Sequence, residues 1–468
     1  MATLGIDLGT GSVKAAVLSD DGNVLAKVSR PYPVNAPHPG WAESDPLVWI
    51  EASRDVAERA IAEAGVIPAS VGFSGQMHGV VLTDADLRPL RPAILWADTR
   101  SAVQAQSMAA DLGPERLSRL GSPAVAGFAA TSVAWLAAHE PDALAAASHI
   151  LQPKDWLRAA LGGDIATEPS DASGTLLFDV ADGRWSAEAI AWAGVDAAVL
   201  PEVRASEAAA GTIVLGGHEI AASVGGADTA CAISGLGLGN GEGFIAVGSG
   251  SQTVSLMDVP VMDTTLRTHT FAVAGAPGAG WYRIGAVQNA GLALTPALAM
   301  VNATIEEAAA ALAEGVRADD PIFIPYLAGE RTPFMNPALR GSWRGLSLAT
   351  TRTAMLRSIL EGVAQAVALG VAAVVESGAS LPSVVPLVGG GTYDPAFRQL
   401  LADATGCSLA VTDAPDAAVV GAALLGSGRT VNPHRTPGRS QVDPRPEAVA
   451  LLAERRAIML FDIAQERS

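Results

Sequence analysis

The sequence predicts an α/β protein of two large domains with a cleft between them, on three observations. Short runs of branched apolar residues alternate with Ala-rich stretches of helical character, the mixture that lays helices on sheets. One Gly-rich hairpin pattern occurs twice: Ile6-x-x-Gly9-Thr10-Gly11-Ser12 and Ile245-x-x-Gly248-Ser249-Gly250-Ser251. The 468 residues exceed what one ordinary core accommodates, and a cleft between two cores is the default ligand site.

Taken in order, Leu4 to Leu8 and Val13 to Leu18 read as strands around the first hairpin. Gly9 and Gly11 are expected to take positive φ, so that successive N–H groups point into one concavity, as a phosphate requires. Thr10 and Ser12 add hydroxyl donors, Asp7 can hold a magnesium ion through water, and Lys14 reads as a solvated strand lysine. The turn Asp20-Asp21-Gly22-Asn23 continues the hairpin into a three-stranded meander. Ile50 to Ala64 is helical, and Val71 to Ser74, Val80 to Thr83 and Ala93 to Trp96 are strand-like.

Between two of those strands lies Gly75-Gln76-Met77-His78-Gly79, a loop suited to a sugar. Gln76 and His78 exchange hydrogen bonds with hydroxyls, and Met77 offers a soft apolar wall. Trp96 and Asp98, in Trp96-Ala97-Asp98-Thr99-Arg100, set an indole beside a carboxylate, a polyol-binding mix, although an aspartate capping the next helix explains Asp98 as well. Trp41 is a third candidate wall, with an aromatic packed under its loop as the default reading.

The punctuation Gly225-Gly226 opens the second unit, which gives domains of residues 1–222 and 223–468. Asp228 follows, where a turn hands over to a helix. Its carboxylate can serve as a general base for phosphoryl transfer or simply cap the helix. The second hairpin runs into a strand at Val254 to Met257. Ile284 to Ile305 is uncharged but broken by Gln288, Asn289, Pro296 and Asn302, so it reads as a buried strand, turn and helix rather than a membrane span. A long helix near Ala349 to Val375 precedes the strand Val384 to Val388, and Gly389-Gly390-Gly391 then leaves bare backbone against which adenosine can lie. Thr430 to Pro446 reads as a surface loop before a final helix.

The 48 acidic and 30 basic residues give a net charge of −18, which disfavours nucleic acid and anionic membranes as partners, so an anionic ligand must be held locally. Only Cys231 and Cys407 occur, without a CxxC pair, which fits a reducing cytoplasm and supports neither disulfide nor zinc; no export signal is read. Walker GxxxxGK[ST], GxGxxG, HExxH and GxSxG patterns do not occur.

GIDLGTGSVK at the start, PGWAESDP at 39–46, GQMHG at 75–79, ILWADTR at 94–100, PKDWL at 153–157, SDASGT at 170–175, GGAD at 225–228, PYLAGERTP at 325–333 and LVGGGT at 387–392 occur in this order. In that series the chain closely resembles the FGGY family of carbohydrate kinases, and within it the xylulokinases, along nearly its whole length. The resemblance implies the actin-like ATPase (ribonuclease H-like) fold, with ATP and Mg2+ as cofactors and a pentulose as substrate, above all D-xylulose phosphorylated at its terminal hydroxyl. Position by position it makes Asp228 the catalytic base, Met77 and His78 the ketose contacts and Asp7 the magnesium carboxylate. Thr10 to Ser12 and Ser249 to Ser251 become the phosphate hairpins, and Gly390 and Gly391 lie against adenosine. A homodimer is ordinary for the family.

Three positions depart from the xylulokinase pattern: Thr229 stands where asparagine is common, and Ala97 and Thr99 replace asparagine and glycine. They fall where hydroxyls are expected to be read, so ribulose or a pentitol is the competing substrate, ahead of a sugar sensor without catalysis and of a chaperone-type ATPase.

Overall fold

The computed structural model describes residues 2–390, 394–433, 438 and 440–465. Strand Thr3–Leu8 pairs antiparallel with Ser12–Leu18, which pairs with Val24–Pro31 to complete the expected meander. Thr3–Leu8 also runs parallel to Ser70–Gly75, and His218–Ser223 and Ala209–Leu215 extend this first sheet on that side. Parallel neighbours need a crossover, here the helix Pro46–Ala64. Asp45 caps it by accepting from Leu47 N, Pro46 occupies the first turn, and Gly65 ends it at φ 66°. Trp49, Ala52, Val56 and Ala60 form its buried face.

The second sheet repeats the plan. Gly243–Val247, Ser251–Met257 and Trp281–Val287 form an antiparallel meander, and Val384–Val388 runs parallel beside Gly243–Val247. The helix Arg352–Glu376 is the crossover, capped by Thr351 accepting from Ala354 N. It is the one described helix long and apolar enough to cross a membrane, yet 89% of its most apolar window is buried. The stretch expected as a buried strand, turn and helix ends its strand at Val287 and forms the helix Gly291–Met300, which is only partly covered: Leu292 and Met300 are exposed. Of the expected surface loop, Gln441–Val442 adds a short edge strand, and the final helix spans Pro446–Gln465.

Beyond residue 222 the chain still contributes to the first sheet. Gly226–Ala227 still pairs with the first sheet at Ser74 and Gly75. The helix Asp228–Leu236 packs against Ala417–Gly426, which returns from the far end of the chain to lie on Thr3–Leu8 and Ser70–Gly75. The two helices cross so closely that a Cβ on Gly421 would stand 1.9 Å from the Cys231 carbonyl. Gly225 has φ 94° and lies where a Cβ would sit 2.3 Å from Phe73 O. One apolar cluster, including Met77, Phe128, Ala227, Phe271 and Tyr282, runs beneath the cleft and gives both lobes a common floor.

Candidate active site

A cavity of about 160 Å³ lies over that floor. Its wall brings together six of the residues the sequence singled out, Thr10, Met77, His78, Trp96, Asp228 and Thr229. The strand Ser70–Gly75 delivers the His78 loop, and His78 itself takes φ 74°. Its ring stacks on Phe128 at 3.8 Å, and Nδ1 donates to Gly174 O at 2.6 Å. Burial, with the nearby charge of Arg331, lowers its pKa to about 3. A neutral ring with its proton on Nδ1 leaves Nε2 as an acceptor for a hydroxyl. Trp96 Nε1 donates to Thr10 Oγ1 at 2.8 Å, tying the indole to the first hairpin.

Two of the proposed sugar contacts are engaged elsewhere. Gln76 is 1% exposed and reaches the Gly9 carbonyl at 3.4 Å, so it supports the hairpin. Asp98 spends both carboxylate oxygens on Arg100, with Nη2 at 2.7 Å and Nε at 2.9 Å, and also accepts from Ala42 N at 2.7 Å. The two-residue spacing folds Arg100 back onto its own aspartate, and Trp41, expected as a wall, stacks on that guanidinium at 3.4 Å. Thr99 Oγ1 donates to Gly40 O, and neither Ala97 nor Thr99 is on the cavity wall.

Asp228 is the first helical residue, after Ala227 in the cap position, so it is not the N-cap. Its Oδ1 accepts from Thr229 N at 2.5 Å and Thr229 Oγ1 at 3.1 Å. Burial first, and then the charge of Asp7, pushes its pKa up to about 6. Asp7 is also raised, by burial, although Ser74 Oγ donates to it at 2.8 Å and Lys14 opposes the shift. Two mutually repelling carboxylates, neither in an ion pair among the described residues, make a place where a divalent cation relieves charge. No cluster of three or more ligating side chains exists among the described residues, so a cation here takes its other ligands from phosphate and water. A base must be ionised to accept a proton. The acid limb of kcat/KM is therefore expected near pH 6, with activity at pH 5 about a tenth of its plateau; a limb near 4 would contradict the assignment.

The hairpins close as expected, with Gly9 N donating to Ser12 O at 3.0 Å and Gly248 N to Gly250 O at 2.8 Å. The expected positive φ is not observed at Gly9 or Gly11, nor at their counterparts Gly248 and Gly250. At Gly250 glycine is needed for room, since a Cβ would stand 2.6 Å from Val287 O. Gly248 lines a second, larger cavity of about 440 Å³, with Leu294, Ile305, Leu360, Phe397 and Gly390 around it. Its apolar walls fit a flat base. Gly390 has open space at its Cβ position, Gly389 makes the turn at φ 102°, and Gly391 lies outside the described residues. Gly11, Ser12, Ser249 and Gly250 stand at the hairpin tips and on neither cavity wall. The second hairpin joins the two cavities, since Gly248 borders the large one and Gln252 the small one.

Sequence reading missed the second lobe's share of the small cavity, namely His269, Phe271, Tyr282 and Arg331. Arg331 is placed by its neighbours. Thr332 exchanges two hydrogen bonds with Ala286, and Glu330 accepts from the amides of Gln288, Asn289 and Arg331. The Glu-Arg pair inside PYLAGERTP was the available signal; the histidine and the aromatics gave none.

Behind the site lies a buried charge cluster built from PKDWL and SDASGT. Lys154 Nζ stands 2.6 Å from Asp155, 3.3 Å from Asp171 and 3.7 Å from Glu168. Glu168 holds the Ser170 hydroxyl, which accepts from Ala227 N at 2.9 Å, so the cluster fixes the backbone that carries Asp228.

Comparison with known proteins agrees with this geometry. The profile of the FGGY family of carbohydrate kinases matches residues 2–237 with its N-terminal domain and 251–428 with its C-terminal domain. The chain is 34% identical to a xylulose kinase of Escherichia coli K12, over 95% of this chain and 92% of that one. It is 30% identical to a xylulose kinase of Bacillus subtilis 168, over 91% and 88%. The crystal structure of a xyloylose kinase from Brucella ovis superposes with a TM-score of 0.92 at 30% identity, covering all of both chains. The fold is that of the actin-like ATPases.

Proposed function

The chain belongs to the FGGY family of carbohydrate kinases, and from that premise we propose that it transfers the γ-phosphoryl group of ATP to the terminal hydroxyl of D-xylulose, giving D-xylulose 5-phosphate. The observation that carries this reading is Asp228: a carboxylate raised to about 6, on the wall of a small polar cavity that one hairpin links to a larger apolar one. Its pKa suits removal of a proton from an alcohol as the oxygen attacks phosphorus. Met77 and His78 orient the ketose, and His78 Nε2 accepts from a hydroxyl. Gly248 and Gly390 flank the adenosine, and the two hairpins supply backbone amides to phosphate. Asp7 is the residue that would hold Mg2+, which when bound neutralises phosphate charge.

Two of the three departures from the xylulokinase pattern lie off the cavity wall, which supports D-xylulose over its competitors; Thr229 alone faces the sugar. We place the protein in the cytoplasm, in keeping with its two free cysteines. A panel of D-xylulose, ribulose, xylitol and ribitol assayed with ATP and Mg2+ is expected to give the highest kcat/KM for D-xylulose, by at least about tenfold. A preference for another member would reassign the substrate, and sugar binding with no ADP formed would make the protein a sensor.

A further inference from the structure

Arg331 brings a guanidinium of the second lobe to the wall of the small cavity. Among the described residues its guanidinium makes no hydrogen bond or ion pair, and it lies 5.2 Å over the Trp96 ring at the small cavity. The adjacent Glu330 is committed elsewhere: Oε1 accepts from Gln288 N at 2.6 Å and Arg331 N at 2.7 Å, and Oε2 from Asn289 N at 3.3 Å and Asn289 Nδ2 at 3.1 Å. A cation left without a partner on a cavity wall draws oxygen acceptors from whatever ligand enters.

Its neighbours define which oxygen. His78 Nδ1 donates to Gly174 O, leaving Nε2 an acceptor. Ser122 Oγ donates to Pro123 O at 2.9 Å, so His269 Nδ1, 2.8 Å away, donates to Ser122 and its Nε2 is an acceptor too. Two acceptors satisfy hydroxyl protons but cannot serve a carbonyl or carboxylate oxygen; the guanidinium can. Arg331 is near enough to both histidines for its charge to reach them.

We propose that Arg331 contacts the substrate, holding the oxygen-bearing end of the sugar remote from Asp228, and that the cavity therefore also takes five-carbon aldonates, whose carboxylate pairs with this guanidinium. The inference rests on the sugar-kinase reading for the direction in which the ligand lies. A planar fork and a carboxylate form two parallel hydrogen bonds, whereas a neutral polyol offers only hydroxyls.

Calorimetric titration of the nucleotide-free protein with D-xylonate and with xylitol tests the pairing without turnover. Xylonate is expected to bind about tenfold more tightly, the equivalent of one charge-assisted bond. R331Q should abolish that difference and raise the KM for D-xylulose about tenfold while kcat stays within about threefold, and R331K should keep part of the preference. Equal binding of xylonate and xylitol to the parent protein would overturn the proposal even if R331Q does not fold. A collapse of kcat in R331Q at unchanged KM would also overturn it, by putting the guanidinium on the transferred phosphoryl group. Absence of D-xylulose turnover in the parent protein would sink the substrate reading, while the xylonate comparison would still be scored.

Discussion

Lys154→Met is expected to leave little folded protein. Lys154, Asp155, Arg158, Glu168 and Asp171 are all fully buried. Burial alone would lower the lysine pKa, but the three carboxylates override it and hold it above its ordinary value. Asp171 is pushed well above the usual carboxylate range, by burial first, against the opposing charge of Lys154 and with Asp155 and Glu168 adding. Two cations, Lys154 and Arg158, face three carboxylates there. Methionine fills the lysine's volume but removes one cation, stranding negative charge without water at a cost of roughly 3–5 kcal/mol, against a total of about 5–15 kcal/mol for a typical domain. Soluble yield and thermal melting check this, and a K154M protein that melts within a degree of the parent would refute it. Asp171→Asn should cost far less, because burial already opposes the charge it removes.

Asp228→Asn should be inactive and slightly more stable than the parent. A carboxylate whose folded pKa is raised costs the fold nothing below the unfolded value of 3.8, costs progressively more between about 4 and 6, and carries its full cost above 6. The shift corresponds to at most about 3 kcal/mol at 1.36 kcal/mol per pKa unit. The carboxylate faces an open cavity, which reduces this to roughly 1 kcal/mol, or a degree or two in melting temperature at neutral pH. Removing the base should lower kcat by about 10³ while ATP still binds. Differential scanning calorimetry at pH 7 and pH 4 measures the first effect, and the gain should shrink at the lower pH. Turnover near the parent's rate would release Asp228 from the mechanism.

Much of this arrangement was legible in the chain because local chemistry dictates it. The alternation in Leu4–Leu8 and Val13–Leu18, the repeated glycine hairpin and the loop Met77-His78 each carry their meaning within a few residues, and the structure brings Thr10, Met77, His78, Trp96 and Asp228 to one wall. What escaped reading depends on contacts distant in sequence. Asp98 is isosteric with a sugar ligand until Arg100 folds onto it, and Gln76 until the Gly9 carbonyl is in reach. Ala417–Gly426 returns nearly two hundred residues later to pack on the Asp228 helix, and no local composition announces it. His269, Phe271 and Tyr282 reach the cavity only through pairing of the strands His269–Ala272 and Trp281–Val287, which sequence alone did not register.

The most direct test of the central claim is phosphorus NMR on the wild-type protein incubated with ATP, Mg2+ and D-xylulose. A base poised over one end of a bound ketose predicts one phosphomonoester, coupled to the C5 protons, formed mole for mole with ADP and without accumulating orthophosphate. Release of orthophosphate with no sugar ester, or an ester on another carbon, would contradict the placement of that hydroxyl against Asp228.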